Sequence, residues 1–281
     1  MKKIIRLDSQ ILNRVCECPR KTGFSYVAGY GPPVLDTDLS IGSLAHVGLE
    51  VHYKELKKKE LTYDQITEKA ISVMRSEVLI SDISVNDSEL VIKTYLDYAA
   101  YRKGESLIPL EIEQPFSKVL FENDNFTILY EGVIDLVFSD INIPLGIADH
   151  KKMKQDRQIS LASNQFKGYV WATGINFVIV NKFGFQKTLP PEKKFGRAML
   201  SYPKCLIDEW VRTAVYHAMR YATYLELSEF PPNFNACDLY KGCMFRSVCT
   251  SDPEVRIQLL NAEFRINKIW DPFSKRKMKE D

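Results

Sequence analysis

The stretch ILYEGVIDLVF at residues 128–138, followed after a short polar link by PLGIADHK at residues 144–151, decides the fold. Two apolar, β-rich runs around the polar segment Ser139 to Asn142 predict an antiparallel hairpin. Its centre falls near Asn142, and Asp135 and Asp149 lie equally far from that centre, so they are expected opposite each other. Period-two alternation puts Val133, Asp135 and Val137 on one face, and Leu145, Ile147, Asp149 and Lys151 on one face of the partner strand. Directly opposed side chains lie about 5 Å apart at Cβ. A divalent cation can bridge that gap, whereas two bare carboxylates resist it. An aspartate set within Val133 to Val137 is also costly to bury without a partner. The competing reading is a surface hairpin in which Asp and Lys form an ordinary cross-strand ion pair.

The flanks supply further candidates. Ser160 to Thr173 reads as a helix ended by Gly174, with Gln165 and Tyr169 four apart on one face, where they can hold a phosphate or sugar without adding charge. Upstream, Ser40 is an expected N-cap, Leu44, Val47 and Val51 form the expected buried stripe, and His46 with Glu50 lies off it. Glu113 lies in the β-rich run Leu110 to Phe116, with Glu111 on the same strand face as an alternative. His52 and His217 belong to no motif. Hard oxygen ligands of this kind suit Mg²⁺ or Mn²⁺, which keep waters that can act as nucleophiles. Lys151 could orient or deprotonate such a water.

The chain of 281 residues, 45% of them hydrophobic, is long enough for a substantial core, and no repeat or low-complexity linker divides it. A single domain is expected over 1–281: a helical part at 1–105, a sheet core at 106–202, and a long helix, cysteine cluster and tail at 203–281. Helices are predicted near 40–58, 62–80, 87–103, 203–228 and 253–270, a sheet from about 108 to 151, and strands near 176–184 and 194–201. A net charge of +2 argues against generic polyanion binding. Local charge is different: Lys151, Lys152, Lys154, Arg157 and Lys167 gather around the aspartates, where a nucleic-acid backbone would need neutralising. Lys193, Lys194 and Arg197 form a second group, and Lys275, Arg276, Lys277 and Lys279 a third. Phe166, Trp171, Tyr98 and Tyr101 could stack on unpaired bases, with core packing as the alternative.

Six cysteines stand at 16, 18, 205, 237, 243 and 249, with no apolar leader and no segment long enough to span a membrane. A cytoplasmic setting is expected, in which disulfides are disfavoured. Cys237, Cys243 and Cys249 fall in a stretch bearing Pro, Asn and Gly, and thiolates so grouped bind zinc or iron–sulfur clusters. Cys18 is the natural fourth ligand, Cys16 its alternative, and Cys205 reads as a packed thiol.

Four short motifs in order resemble the PD-(D/E)XK nuclease superfamily, in particular its RecB-like branch: Gly42-Ser43-Leu44-Ala45-His46, Gly132-Val133-Ile134-Asp135, Asp149-His150-Lys151 and Gln165-Phe166-Lys167-Gly168-Tyr169. The resemblance implies an α/β fold with a restriction-endonuclease-like core, a central mixed sheet flanked by helices. It implies a Mg²⁺- or Mn²⁺-dependent exonuclease acting on DNA ends or single strands in recombination, repair or phage and CRISPR DNA processing, with a helicase or recombination partner possible. Asp135, Asp149, Lys151, Gln165 and Tyr169 would be catalytic. Asp135, Asp149, the carbonyl of His150, His46 and Glu113 would hold the metal. The split of Cys18 from Cys237, Cys243 and Cys249 resembles the AddB-type and CRISPR-associated iron–sulfur exonucleases, implying a 4Fe-4S cluster with zinc as the alternative. Those relatives space the last three cysteines more tightly at the first interval than the two intervals of five found here. The competing functions are a non-catalytic nucleic-acid-binding recombination subunit of the same fold and a zinc-stapled interaction protein in which the Asp-Lys hairpin is incidental.

Overall fold

The computed structural model describes residues 2–33, 37–81, 83–153, 161–186, 188–239, 242–267, 270–271 and 273. In chain order the elements are β1 (Lys3–Leu7), α1 (Ser9–Glu17), α2 (Pro19–Thr22), β2 (Tyr30–Gly31), α3 (Thr37–Lys58), α4 (Tyr63–Val78), α5 (Val85–Arg102), β3 (Ile108–Glu122), β4 (Phe126–Asp140), β5 (Ile143–Met153), α6 (Asn164–Thr173), β6 (Phe177–Gly184), α7 (Pro191–Lys194), β7 (Arg197–Ser201), α8 (Lys204–Leu227), α9 (Arg246–Thr250), α10 (Arg256–Glu263) and β8 (Arg265–Ile266). They form two compact units: Leu35–Gln114 with Val133–Pro203, and Met1–Val34 with Pro115–Gly132 and Lys204–Asp281.

The first of these units carries a mixed sheet. β4 runs antiparallel to β5, β5 parallel to β6, and β6 antiparallel to β7. The hairpin pairs Leu136 with Ala148, Val137 with Ile147 and Phe138 with Gly146, then shifts by one residue at Asp140 against Ile143. Continuing that register one step from Leu136 and Ala148 sets Asp135 against Asp149, as their equal spacing from the turn predicts. The parallel β5–β6 pair needs a crossover, and α6 supplies it, ended by Gly174 in the left-handed conformation.

The core of this unit gathers Leu136, Phe138, Ala148, Ile179 and Phe183 of the sheet with Leu44, Leu49, Tyr53, Tyr95 and Tyr98 of α3 and α5. The buried stripe of α3 is Ile41, Leu44, Ala45, Leu49, His52 and Tyr53, while Val47 and Val51 are only partly buried. The helix also starts at Thr37, so Ser40 lies inside it rather than capping it. α4 opens on a capping box in which Thr62 and Gln65 satisfy each other's first-turn donors.

In the other unit, β1 pairs in parallel with the start of β4 from Phe126 to Tyr130, and β2 pairs with β8. Gly132 closes this stretch of β4. A Cβ there would lie 2.8 Å from the Phe116 ring, so the position has no room for a side chain. The tail expected to be helical over 253–270 is so only to Glu263; Arg265 and Ile266 are extended because they find an edge at Gly31 and Tyr30. Among the described residues no helix is long and apolar enough to cross a membrane.

Candidate metal centre

β4 and β5 bring the central residues together. Asp135 Oδ2 accepts the backbone N–H of His150 at 2.8 Å, and His46 Nδ1 of α3 lies 3.6 Å from the same oxygen. Glu113 completes this side: one ligand atom from each of His46, Glu113 and Asp135 falls within 4.8 Å of the others. Glu113 sits in β3 with φ +52°, a left-handed conformation that is unfavourable for a side-chain-bearing residue and is tolerated mainly where the surroundings enforce it. Glu111, the alternative on the simple alternation, instead pairs with Lys57 at 3.1 Å.

Asp149 is 1% exposed. Its Oδ1 accepts Gln165 Nε2 at 3.1 Å and Lys151 Nζ at 3.2 Å, and Lys151 Nζ lies 2.9 Å from Oδ2. Gln165 Nε2 also donates to the Tyr169 hydroxyl at 2.7 Å, and that hydroxyl donates to the Val133 carbonyl at 2.9 Å. The glutamine–tyrosine pair of α6 therefore holds a site carboxylate and the strand carrying Asp135. Lys151 also lies over the Phe166 ring, 5.9 Å from its centre.

The two carboxylates are electrostatically unlike. Burial opposes ionisation of Asp135, but the electrostatic influence of His46, His150 and Lys151 and the hydrogen bond from the His150 N–H hold its pKa below the ordinary value. Burial pushes Asp149 up to about 6; Lys151 pulls against this, and the nearby Asp135 adds to the rise. Lys151 is desolvated, yet Asp149 and Asp135 raise its pKa. The His150 ring, 4% exposed, is pushed down to about 3 by burial and is neutral. It stacks on Tyr53 with ring centres 5.4 Å apart.

Other sequence candidates scatter. Lys154 and Arg157 lie outside the described residues, as do Ser160, the expected start of α6, and Lys275 to Lys279. Lys194 belongs to α7 rather than to β7 and pairs with Asp97, and Arg197 pairs with Glu105, so that basic group is partly neutralised. Tyr98 and Phe166 are buried and serve packing, whereas Tyr101 is exposed. His52 is buried, neutral with its pKa near 4 because of burial, and bonded to the Tyr95 hydroxyl at 2.8 Å. An added Cβ at Gly42 of the His46 motif would meet nothing within 4 Å. Asn181, at the centre of β6, was not singled out from sequence; its neighbours depend on the β5–β6 register, which local patterning does not reveal.

No protein-family model matches this chain. No curated protein matches it either. Among solved structures, it is similar to a protein described as "Putative exonuclease" from Eubacterium rectale, with 11% identity, TM-score 0.48 and coverage of 88% of this chain and 94% of that one. It is also similar to SSO0001, with 14% identity, TM-score 0.37 and coverage of 78% of each chain. Likenesses this distant assign no chemistry, which rests on the residues themselves.

The thiols gather in the other unit. All six cysteines are free. Cys18, buried between α1 and α2, accepts the backbone N–H of Asn233 on Sγ at 3.4 Å. Burial raises the Cys237 pKa, and Cys243 and Cys18 add to the rise. Burial also raises Cys249, with Arg20 opposing and Cys243 and Cys18 again adding. Cys18 and Cys243 thus each act on both Cys237 and Cys249. Gly242, at φ +93°, makes the turn that lets the Cys243 N–H reach the Cys237 carbonyl at 2.8 Å. Cys16 is exposed and influenced by Arg220, and Cys205 is exposed at the start of α8.

Proposed function

We propose that this chain is a metal-dependent DNA nuclease of the PD-(D/E)XK type, in the RecB-like branch, acting on DNA ends or single strands. One observation carries the reading: Asp135 and Asp149 flank the paired Leu136 and Ala148 of β4 and β5, Lys151 is on Asp149, and His46 and Glu113 converge on Asp135. The donor set fits Mg²⁺ or Mn²⁺, being carboxylate oxygens with one imidazole. Asp135 and Asp149 would hold the ion, with His46, Glu113 and the His150 carbonyl as further ligands. When bound, the cation supplies Lewis-acid stabilisation of phosphoryl charge and a more acidic water.

The chain's own groups do the rest. Lys151 remains an ammonium beside two carboxylates, so it positions a water or offsets charge on the phosphorane rather than removing a proton. Gln165 keeps Asp149 oriented by its hydrogen bond, and Tyr169 ties Gln165 to the strand bearing Asp135. An isolated cross-strand ion pair would need neither the buried second carboxylate nor the His46–Glu113 cluster. In the other unit, Cys18, Cys237, Cys243 and Cys249 would by donor type suit a 4Fe-4S cluster, with Cys18 and Cys243 each acting electrostatically on Cys237 and Cys249.

The purified protein should cut linear duplex or single-stranded DNA with Mg²⁺ or Mn²⁺ and not with EDTA. Asp149→Asn and Lys151→Ala should each lower the rate by about 10²- to 10⁴-fold, with the double variant adding little, because the groups act as one unit. Lack of cleavage by wild type, or normal cleavage by Lys151→Ala, removes the assignment.

A further inference from the structure

His150, Asn181 and Arg197 form one row across three adjacent strands: His150 of β5 is in register with Asn181 of β6, and Asn181 with Arg197 of β7. Their side chains are joined along the row. Asn181 Nδ2 and His150 Nδ1 are 3.2 Å apart, Arg197 Nε donates to Asn181 Oδ1 at 2.6 Å, and an Arg197 terminal nitrogen donates to Glu105 Oε2 at 2.7 Å. Asn181 is 1% exposed, so water cannot substitute for either neighbour.

The chemistry of the row permits one proton arrangement. Arginine has donors and no acceptor, so the Asn181 atom facing it must be the carbonyl oxygen. That fixes the amide, and its NH₂ faces His150. An amide nitrogen only donates, so His150 Nδ1 must be the unprotonated acceptor, and the proton of the neutral ring sits on Nε2. The donor-only side chain of Arg197, clamped by Glu105, thereby determines a tautomer two strands away.

His150 is also the residue whose backbone N–H holds Asp135, and it stands between Asp149 and Lys151. Its ring is packed on Tyr53, whose hydroxyl is 2.7 Å from that of Tyr98. Movement of the ring would move the peptide that aligns all three. We propose that Asn181 and Arg197 are positioning residues that hold His150 as its Nε2–H tautomer and so fix the geometry of Asp135, Asp149 and Lys151. The tautomer follows from the hydrogen bonds alone; the consequence for metal binding rests on the function proposed above.

The test is nuclear magnetic resonance of the full chain labelled with ¹⁵N in histidine, free of DNA and added divalent metal, with His150→Gln used to assign the signal. Wild type should show a bare Nδ1 and a protonated Nε2 at His150. Asn181→Asp is nearly isosteric and keeps an acceptor for Arg197, but it has no donor, so it should move a proton onto Nδ1. Arg197→Met frees the amide to turn and should give a mixture, while Arg197→Lys should recover part of the wild-type pattern. Mn²⁺ affinity, measured by titration, should fall about tenfold in Asn181→Asp and in Arg197→Met, as for loss of an outer-shell partner. A protonated Nδ1 in wild type, or an unchanged pattern in Asn181→Asp, overturns the tautomer. Unchanged Mn²⁺ affinity in both variants overturns the positioning role. A wild type that binds no Mn²⁺ and cuts no DNA, yet shows the tautomer, overturns the proposed function and leaves the hydrogen-bond argument standing.

Discussion

The carboxylate centre and the four cysteines proposed as a second site draw their ligating atoms from the chain in opposite ways. Asp135 and Asp149 belong to one hairpin, and their alignment is a by-product of strand register. Each has a protein partner already in place, from His150 N–H to Gln165 and Lys151. The thiols come from residue 18 and from residues 237–249, with mostly short elements and turns between the latter. Bringing them together would be a tertiary result. A site built from register keeps its shape without its ligand, whereas a site built from distant segments draws cohesion from what it binds.

The contrast is broken most decisively at the thiols. Protein prepared without oxygen should be brown, and Cys18→Ser, Cys237→Ser, Cys243→Ser or Cys249→Ser should bleach it and lower the melting temperature by about 5–15 °C, since ligand binding is part of folding there. Cys205→Ser should change neither, and Cys16→Ser tests the neighbouring thiol. Absorbance, metal analysis and calorimetry read the outcome: stoichiometric zinc would replace the cluster, and no metal at these cysteines would end the idea of a stapled unit.

A smaller effect is expected at the carboxylates, and its sign follows from Asp149. Its folded pKa, about 6, lies above the ordinary 3.8, so its contribution to stability is full below about 3.8 and is lost as pH rises through about 6. A divalent cation offsets that loss only once the carboxylate is ionised. The rise in melting temperature on adding Mn²⁺ should therefore be slight at pH 5 and larger at pH 7.5, and Asp149→Asn should abolish the difference while raising the metal-free melting temperature by about 2–6 °C. A Mn²⁺ shift equal at both pH values would contradict this account.

The smallest effect is expected on α6. Tyr169→Phe removes one buried hydroxyl, costing about 1 kcal/mol, and should slow cleavage by less than about tenfold with Mn²⁺ affinity retained. Loss of Mn²⁺ binding in this variant would mean that the carboxylates are less self-supporting than the hairpin implies.

The hairpin was legible because alternation, a polar turn and equal spacing all point to one register, and the residues around Asp135 and Asp149 do pair that way. Glu113 was ambiguous because alternation assumes a regular strand, and the left-handed residue at 113 breaks that assumption. On α3 the expected Val47 and Val51 stripe lost to Ala45, Leu49 and Tyr53, since a helix packed along its length buries a wider face than three apolar residues suggest. The short strand β1 escaped notice: Lys3-Ile4-Ile5-Arg6-Leu7 gains its stability from pairing with β4. The row from His150 to Arg197 was beyond reach, because it depends on two strand registers at once.

The interleaving of the two units also orders events during synthesis. Every segment of the unit carrying the carboxylates ends by Pro203, whereas the other unit needs Lys204 onward, including Cys237, Cys243 and Cys249. At about 5–20 residues per second, and with domains folding as they emerge, the carboxylate centre can be complete while Cys18 still awaits its companions. A cluster at these thiols, as proposed above, would therefore be acquired last, by a protein whose other site is already formed.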